Sequence, residues 1–548
     1  MSIRDQVDRV RRRMVLERDL RSLRRAHGDA IGWPGPKDGP VALIVSLSEF
    51  PQQLKFEGLL AKPLQLKGMT PVALVNSDSW IPHRYLGAFG IEQFVGLRTY
   101  VTDEARAEAQ RETDAILARN PSIADLRDLT FHGAAIGRQV LSTISRALKE
   151  GTLDTADPEV LELLGELLPS TLESTLAAEA LVDDLRPELL IFLERGYAGE
   201  APLSDIALAR GINVIQFVSG FQDDALVFKR YTPETRRLHP RSLSDASWEE
   251  VKHLPWTELD DRRLDEEFER RYDDTWALSR RIQGWTHAAS REEIVGRLGL
   301  DPAKRTAVVF SHVLWDANMF FGEDLFGDQE EWFVETIRAA VANPRVNWIV
   351  KLHPANVWKL KREGFAGELG ELEVIRRAVG ELPPHVALLP ADSDIGTRSI
   401  FDATDVGVTI RGSIGFELPC FGIPVITAGT GFYSGRGFTL DSATPEEYLA
   451  RLARIETIEP LFPEELELAR RHAYALFFLR SVRFSSFTAT IRPLEQMGHP
   501  LDHDLVLNLK TREDVERAED LRRFAEWAVD SRELDYLELP AREPAAAA

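Results

Sequence analysis

Lys351-Leu352-His353-Pro354 sets an ammonium and an imidazole at the end of the apolar run Trp348–Leu352. If that run is a parallel strand, both side chains stand at its carboxyl edge, where open α/β sheets bind ligands. A Lys beside a hydrogen-bonding His suits a departing phosphate. Pro354 has no N–H and a fixed φ, so it ends the strand and stiffens the loop. A second cluster is Arg411-Gly412-Ser413 with Glu417. Ser413 can cap a helix and hydrogen-bond a phosphate, with the helix N-terminus adding partial positive charge. Glu417, one turn on, can accept from ribose hydroxyls. The plain structural alternative makes Ser413 an N-cap and Glu417 a capping-box residue. The third cluster is the loop 429–437, GTGFYSGRG. Gly431 and Gly435 allow close backbone approach, Tyr433 can stack on a base or sugar, and Arg436 is a candidate for the same ligand.

Carboxylates are the candidates for a base or nucleophile: Glu49 after the first strand, Glu194 after the 189–193 strand, and Asp316 in VVFSHVLWDANMFF. Each also reads as an ordinary solvent-facing charge. His132, Arg138, Arg195 and His312 are candidates for the acceptor side. The chain has no GxxxxGK[ST] phosphate loop, no GxGxxG after its first strand and no HExxH, so ATPase, dehydrogenase and zinc-protease readings lose support. Ser413 in RGSIG lacks the spacing of an esterase elbow. No concentrated Asp/His set suggests a metal, and no cofactor is expected.

These clusters need a scaffold with aligned strand ends. Apolar runs at 41–46, 71–75, 189–193 and 214–218 alternate with helical stretches, and a second series starts at Ala307, with strands 307–310, 348–352, 386–389, 406–410 and 425–427. Such alternation predicts parallel, doubly wound sheets. The expected divisions are a basic amphipathic helix (1–30), an acceptor-side α/β domain (38–235) with a helical insertion at about 103–187, and a helical connector (236–300). A donor-nucleotide domain (301–490) and a helical extension and tail (491–548) follow, the closing AREPAAAA being expected to be disordered.

At 548 residues the chain exceeds one core. Its net charge of −22 argues against a nucleic-acid scaffold but leaves room for a local basic pocket. The lone Cys420 rules out a disulfide framework and suits a reducing cytoplasm. No apolar run is long enough to span a bilayer. Through His27 the chain carries nine Arg against four acids, with Ile3, Val7, Val10 and Met14 at helical spacing. Such a helix can lie on an anionic membrane face, or be solvated or self-associating.

Over 346–440, KLHP, RGSIGFELPCFGIPVITAG and FYSGRGFT together resemble bacterial capsule polysaccharide biosynthesis proteins, which are GT-B glycosyltransferases that include the users of CMP-Kdo. The VLWDAN loop and GYAGEAPLSDIALARGINVIQF look like more divergent parts of the same family. The resemblance implies an α/β, GT-B-like fold, in which two Rossmann-like doubly wound domains face a cleft and helices are added at both ends. It implies His353 and Ser413 near the donor phosphate, Glu417 near the ribose, and a metal-independent reaction. The expected activity is sugar transfer from a nucleotide-sugar substrate to a surface polysaccharide or lipid-linked glycan, in the cytoplasm or peripherally on the inner membrane face. Rival readings are a CDP-glycerol-type polyol-phosphate transferase, a nucleotide-sugar-binding subunit without turnover, and a nucleotide-sugar 2-epimerase.

Overall fold

The computed structural model describes residues 3–272, 286–357, 370–492, 496 and 498–539, with side chains from residue 6. The AREPAAAA tail and part of the connector lie outside the described residues. The strands are β1 (Val41–Ser46), β2 (Thr70–Val75), β3 (Gln93–Val95), β4 (Leu189–Phe192), β5 (Asn213–Ser219), β6 (Ala225–Tyr231), β7 (Thr306–Phe310) and β8 (Asn347–Lys351). Then come β9 (Val386–Leu389), β10 (Val406–Thr409), β11 (Val425–Thr427), β12 (Leu440–Asp441), β13 (Val482–Arg483), β14 (Phe487–Ile491) and β15 (His503–Leu507).

Two Rossmann-like sheets result. The first runs β13-β6-β5-β4-β1-β2-β3 and the second β12-β11-β10-β7-β8-β9. The runs VALIVS, LLIF, TAVVF and NWIVK are buried almost throughout, as strands covered by helices on both faces must be. In each sheet the first three strands are laid down in one direction and the next ones in the other. The first sheet therefore reverses between β1 and β4, and the second between β7 and β10.

The expectation of wholly parallel sheets needs one correction. β6 pairs antiparallel with β5, because the turn 220–224 between them is too short for a helical crossover. The expected domain end at 490 also shifts. After the helix Pro463–Tyr474 the chain returns to the first sheet, where β13 pairs antiparallel with β6. The extension is not purely helical either: β14 and β15 form a hairpin whose Phe487 meets Phe56 edge to face at 4.8 Å.

The N-terminal helix Ile3–Ile31 divides in two. Leu16, Leu20, Leu23, Ala30 and Ile31 are buried against the first domain, whereas Val7, Val10 and Met14 are exposed. Among the described residues no helix is long and apolar enough to cross a membrane.

The returning chain and the C-terminal segment are anchored to the first sheet by a fully buried ion triad. Lys229 on β6 meets Asp535 at 2.8 Å, and Arg480, at the end of the return helix, meets the same carboxylate at 3.1 Å. Asp535 also accepts the Ser244 amide at 2.6 Å, and Lys229 donates to the Ser242 carbonyl at 3.0 Å. The two cations hold the Asp535 carboxyl well below its ordinary range, against the effect of burial. Removing one partner of a buried ion group strands the others, at about 3–5 kcal/mol. Asp535→Ala should therefore lower the unfolding free energy from a denaturant titration by an amount of that order, and an unchanged value would show the triad to be dispensable.

Candidate functional site

The second sheet's reversal point brings three loops together. β10, β7 and β8 are neighbouring parallel strands, with Phe310 of β7 in register with Lys351 of β8. Ser311 and His312 follow β7, Leu352 and His353 follow β8, and Gly412 and Ser413 follow β10. All six line a cleft of about 570 Å³. Its opposite walls come from Gln52 and Phe56 of the helix Pro51–Leu66, from the β5–β6 turn, and from Ala489 and His503 of the hairpin. Arg241, Arg271 and Tyr272 of the connector complete it.

Lys351 is 7% exposed. Burial alone lowers its ammonium to a pKa of about 8, with no neighbouring carboxylate to counter the shift. Its Nζ makes no hydrogen bond or ion pair among the described residues. His353 is oriented by its own loop: the Ala355 amide donates to Nδ1 at 3.1 Å, which places the ring proton on Nε2. Beneath both loops sits Glu371, buried, accepting from Ser311 Oγ at 3.1 Å and Asn356 Nδ2 at 2.6 Å. Burial raises its carboxyl to about 7. Glu371 thus ties the β7 tip to the His353 loop. No local motif marks it, because its partners lie far away in sequence.

Ser413 does not cap the helix behind it. Its own backbone is helical (φ −57°), its hydroxyl makes no cap bond, and it is exposed in the cleft wall. Only its carbonyl serves the helix, accepting the amides of Phe416 and Glu417 at 3.0 and 3.2 Å. Glu417 lines the cleft but already accepts from Tyr272 Oη and from Arg271 Nη2 at 3.3 Å, so a ribose hydroxyl would compete with two protein donors.

The glycine-rich loop corrects an expectation. Tyr433 is fully buried and offers no face to a ligand; its hydroxyl donates to the Gly412 carbonyl at 3.0 Å, bracing the turn from below. Gly415 lies so close that a Cβ there would stand 2.0 Å from the Tyr433 ring. Gly431 also packs on that ring, and the Gly435 amide donates to Asp441 at 2.8 Å. Arg436 points away, pairing with Asp245 at 2.8 Å and donating to the Leu243 carbonyl at 2.8 Å. Arg411 is likewise taken, by Asp324 at 2.7 Å in a nearly buried pair. These residues support the turn instead of lining the cleft, because the loop after β11 folds under it.

The carboxylate candidates do not join His353 among the cleft-lining residues. Glu49 is exposed and 3.6 Å from Arg12. Glu194 sits at the first sheet's reversal point, where burial raises its carboxyl and the Arg146 charge opposes the rise. Asp316 belongs to the same charge group, acting with Glu194 on Arg146 and Tyr197. His132 lies in the helical insertion on Glu179 at 2.8 Å. Arg138 donates to the Met319 carbonyl at 3.1 Å, and buried Arg195 to Gln216 at 3.1 Å while covering the Tyr231 ring. These three serve as structural ties, and of the acceptor-side candidates only His312 reaches the cleft, its ring 6.2 Å from that of His353.

No family model and no curated protein matches the chain. Solved structures give distant likenesses. A KpsC beta Kdo 2,4 transferase from Thermosulfurimonas dismutans is 15% identical over 56% of this chain and 82% of its own, with a TM-score of 0.31. The S. aureus MnaA–UDP structure is 10% identical over 80% and 92%, at 0.27. The spinosyn rhamnosyltransferase SpnG with its aglycone is 12% identical over 84% and 97%, at 0.24. Likenesses this weak add nothing to the strand order, which by itself defines two doubly wound domains across a cleft.

Gly415→Ala should cost about 1–3 kcal/mol by overpacking against Tyr433. A thermal scan checks this, and an unshifted transition would mean that the turn yields without Tyr433.

Proposed function

We propose that this chain is a glycosyltransferase that moves a sugar from a nucleotide-sugar donor to a surface polysaccharide or lipid-linked glycan. The observation that carries the reading is the unpartnered, nearly buried Lys351 ammonium in the wall of a cleft at the second sheet's reversal point. A buried charge without a partner is costly, so a site that keeps one is built for an anion that arrives with the ligand. His353 presents Nε2–H, and Ser413 an exposed hydroxyl, in the same cleft. Three donors along one sheet edge of the cleft suit a phosphate, and they become most useful as the nucleotide leaves with its charge. The cleft residues bind and neutralise that phosphate without routing any step through a metal or cofactor.

The cleft volume accommodates a ligand larger than a phosphate alone. In this reading the acceptor enters from the first domain. Glu194 and Asp316, gathered around Arg146, are the carboxylates that domain closure would bring toward the donor. A lipid-linked acceptor also fits the free half of the N-terminal helix. Val7, Val10 and Met14 stand exposed among Arg9, Arg11, Arg12 and Arg13, which suits an anionic bilayer surface. Sedimentation with phosphatidylglycerol vesicles should carry down the wild type but not Val10→Asp/Met14→Asp; equal sedimentation of both would remove the membrane assignment.

Two outcomes test the phosphate site. His353→Ala should cut donor-dependent transfer about tenfold or more with the melting temperature unchanged, and intact turnover would sink its role. Lys351 gives a pH signature. Its pKa lies below the ordinary lysine value, so the charge needed for the anion is present below about pH 8 and lost above it. The rise in melting temperature given by a bound nucleotide should therefore fade as pH passes 8, and be absent at every pH in Lys351→Met. A rise independent of pH from 7 to 9 would contradict the assignment. Phosphorus analysis of the product separates sugar transfer from polyol-phosphate transfer.

A further inference from the structure

Besides the cleft, the molecule has a groove of about 810 Å³ between the free half of the N-terminal helix and the tip of the β14–β15 hairpin at Gly498–Pro500. Arg9, Arg11, Arg12 and Arg18 line it from the helix and His499 from the hairpin tip. Asp8 is the one acid among the described lining residues. The whole chain carries a net charge of −22, so this concentration of cations is local and runs against the rest of the sequence. Two of the cations are loosely engaged: exposed Arg11 stands 4.0 Å from Asp8, and exposed Arg12 3.6 Å from Glu49. Arg9 and Arg18 meet no carboxylate within ion-pair distance among the described residues, although both line the groove. The Leu501 amide donates to His499 Nδ1 at 3.1 Å, which leaves the ring proton on Nε2. That nitrogen has no hydrogen-bond partner among the described residues.

The walls of the groove are fixed against each other before any ligand arrives. Lys55, 3% exposed, reaches Asp19 at 3.0 Å and Asp504 at 2.7 Å. One buried ammonium thus ties the helix, one residue past Arg18, to strand β15. Tyr85 donates its hydroxyl to the same Asp19 at 2.6 Å. The hairpin also serves the cleft: Ile491 and His503, the last pair before its tip, line that cavity. It therefore walls the groove at its tip and the cleft along its strands. Stability does not account for the cations. Arg9 has Arg12 and Arg13 three and four residues on, where like charges on a helix destabilise it. On the same helix Val7, Val10 and Met14 recur at i, i+3 and i+7 and stay 44%, 59% and 59% exposed. Met14 also lines the groove, so an apolar ridge borders the cations. A polyanion without apolar chains would leave that ridge in water; an amphiphile with an anionic head engages both.

We propose that this groove is a headgroup site for an anionic phospholipid of a bilayer. Arg9, Arg18 and the Nε2–H of His499 hold the headgroup phosphate, while Val7, Val10 and Met14 enter the apolar layer beside it. The inference rests on the membrane assignment of the N-terminal helix and narrows its partner from a charged surface to a lipid held in a preformed groove. A lipid held there sits at the end of the hairpin whose strands line the cleft, which brings the cleft to the bilayer surface.

Sedimentation of the full chain with phosphatidylcholine vesicles, with and without phosphatidylglycerol, tests this. The variants are Arg9→Gln/Arg18→Gln, His499→Ala and a control pair, Arg21→Gln/Arg25→Gln, which removes the same charge from the same helix outside the groove. The four arginines are exposed, so unchanged melting temperatures should show that both pairs fold. The wild type should bind only the vesicles with phosphatidylglycerol. The groove pair should weaken that binding about tenfold or more, and the control pair about threefold or less. His499→Ala, which removes a donor and no helix charge, should cost about threefold, and it carries the test if the groove pair does not fold. Equal losses in the two pairs would make the helix a diffuse basic face, overturning the headgroup site while the membrane assignment stands. Binding unchanged in both the groove pair and His499→Ala also overturns the site. Calorimetry with inorganic phosphate and glycerol phosphate separates the sources of the anion. Saturable binding of either, with no binding to vesicles, assigns the groove to a dissolved phosphate and overturns the lipid. A wild type that ignores phosphatidylglycerol altogether ends both the headgroup site and the membrane assignment.

Discussion

The buried triad of Lys229, Asp535 and Arg480 anchors the return from the second domain and the C-terminal segment to the first sheet. Each member comes from a different part of the chain: a strand of the first sheet, the return from the second domain, and the C-terminal segment. None of the three charges is tolerable alone in the interior, so each holds the others in place. Through Ser242 and Ser244 the same node fixes the connector directly after Arg241. The strand bearing Lys229 begins at the β5–β6 turn that walls the cleft. Packing the tail and shaping the site are therefore one act of folding.

Against that rigid frame, the cleft stands out for charges left uncompensated. Elsewhere buried cations are matched: Arg411 by Asp324, and Lys55 by Asp19 and Asp504. Lys62, fully buried, donates to two backbone carbonyls and lies on the Trp33 ring. Lys351, in the wall of the cleft, departs from this pattern. That contrast within one molecule ties the physics of burial to function, because an unpaired buried charge is kept only where something outside the protein pairs with it.

How far the sequence could be read follows from the range of the interactions. Strands buried on both faces are continuous apolar runs, so β1, β4, β7, β8 and β10 stood out, and with them the strand-end positions of His353 and Ser413. The hairpin of β14 and β15 was missed because its partly exposed strands carry polar residues and no periodicity separates them from helix or loop. The antiparallel β6 is buried throughout, but Lys229 and Arg230, matched only by partners distant in sequence, interrupt its apolar run. Tyr433 was misjudged for a related reason. A tyrosine among glycines suits a ligand platform, yet the same glycines are there because the ring packs against Gly415 and Gly431 from inside. Glu371 left no local trace at all; its meaning lies in partners, Ser311 and Asn356, brought near by the fold.

The central claim is that the anion of the ligand completes the charge of Lys351. Its most direct test is a crystal structure of the chain with the nucleotide that binds best. The expected result is a phosphate in the cleft with oxygens about 2.7–3.2 Å from Lys351 Nζ and His353 Nε2. A nucleotide seated outside this cleft, or within it with its phosphate turned away from Lys351, would contradict the claim.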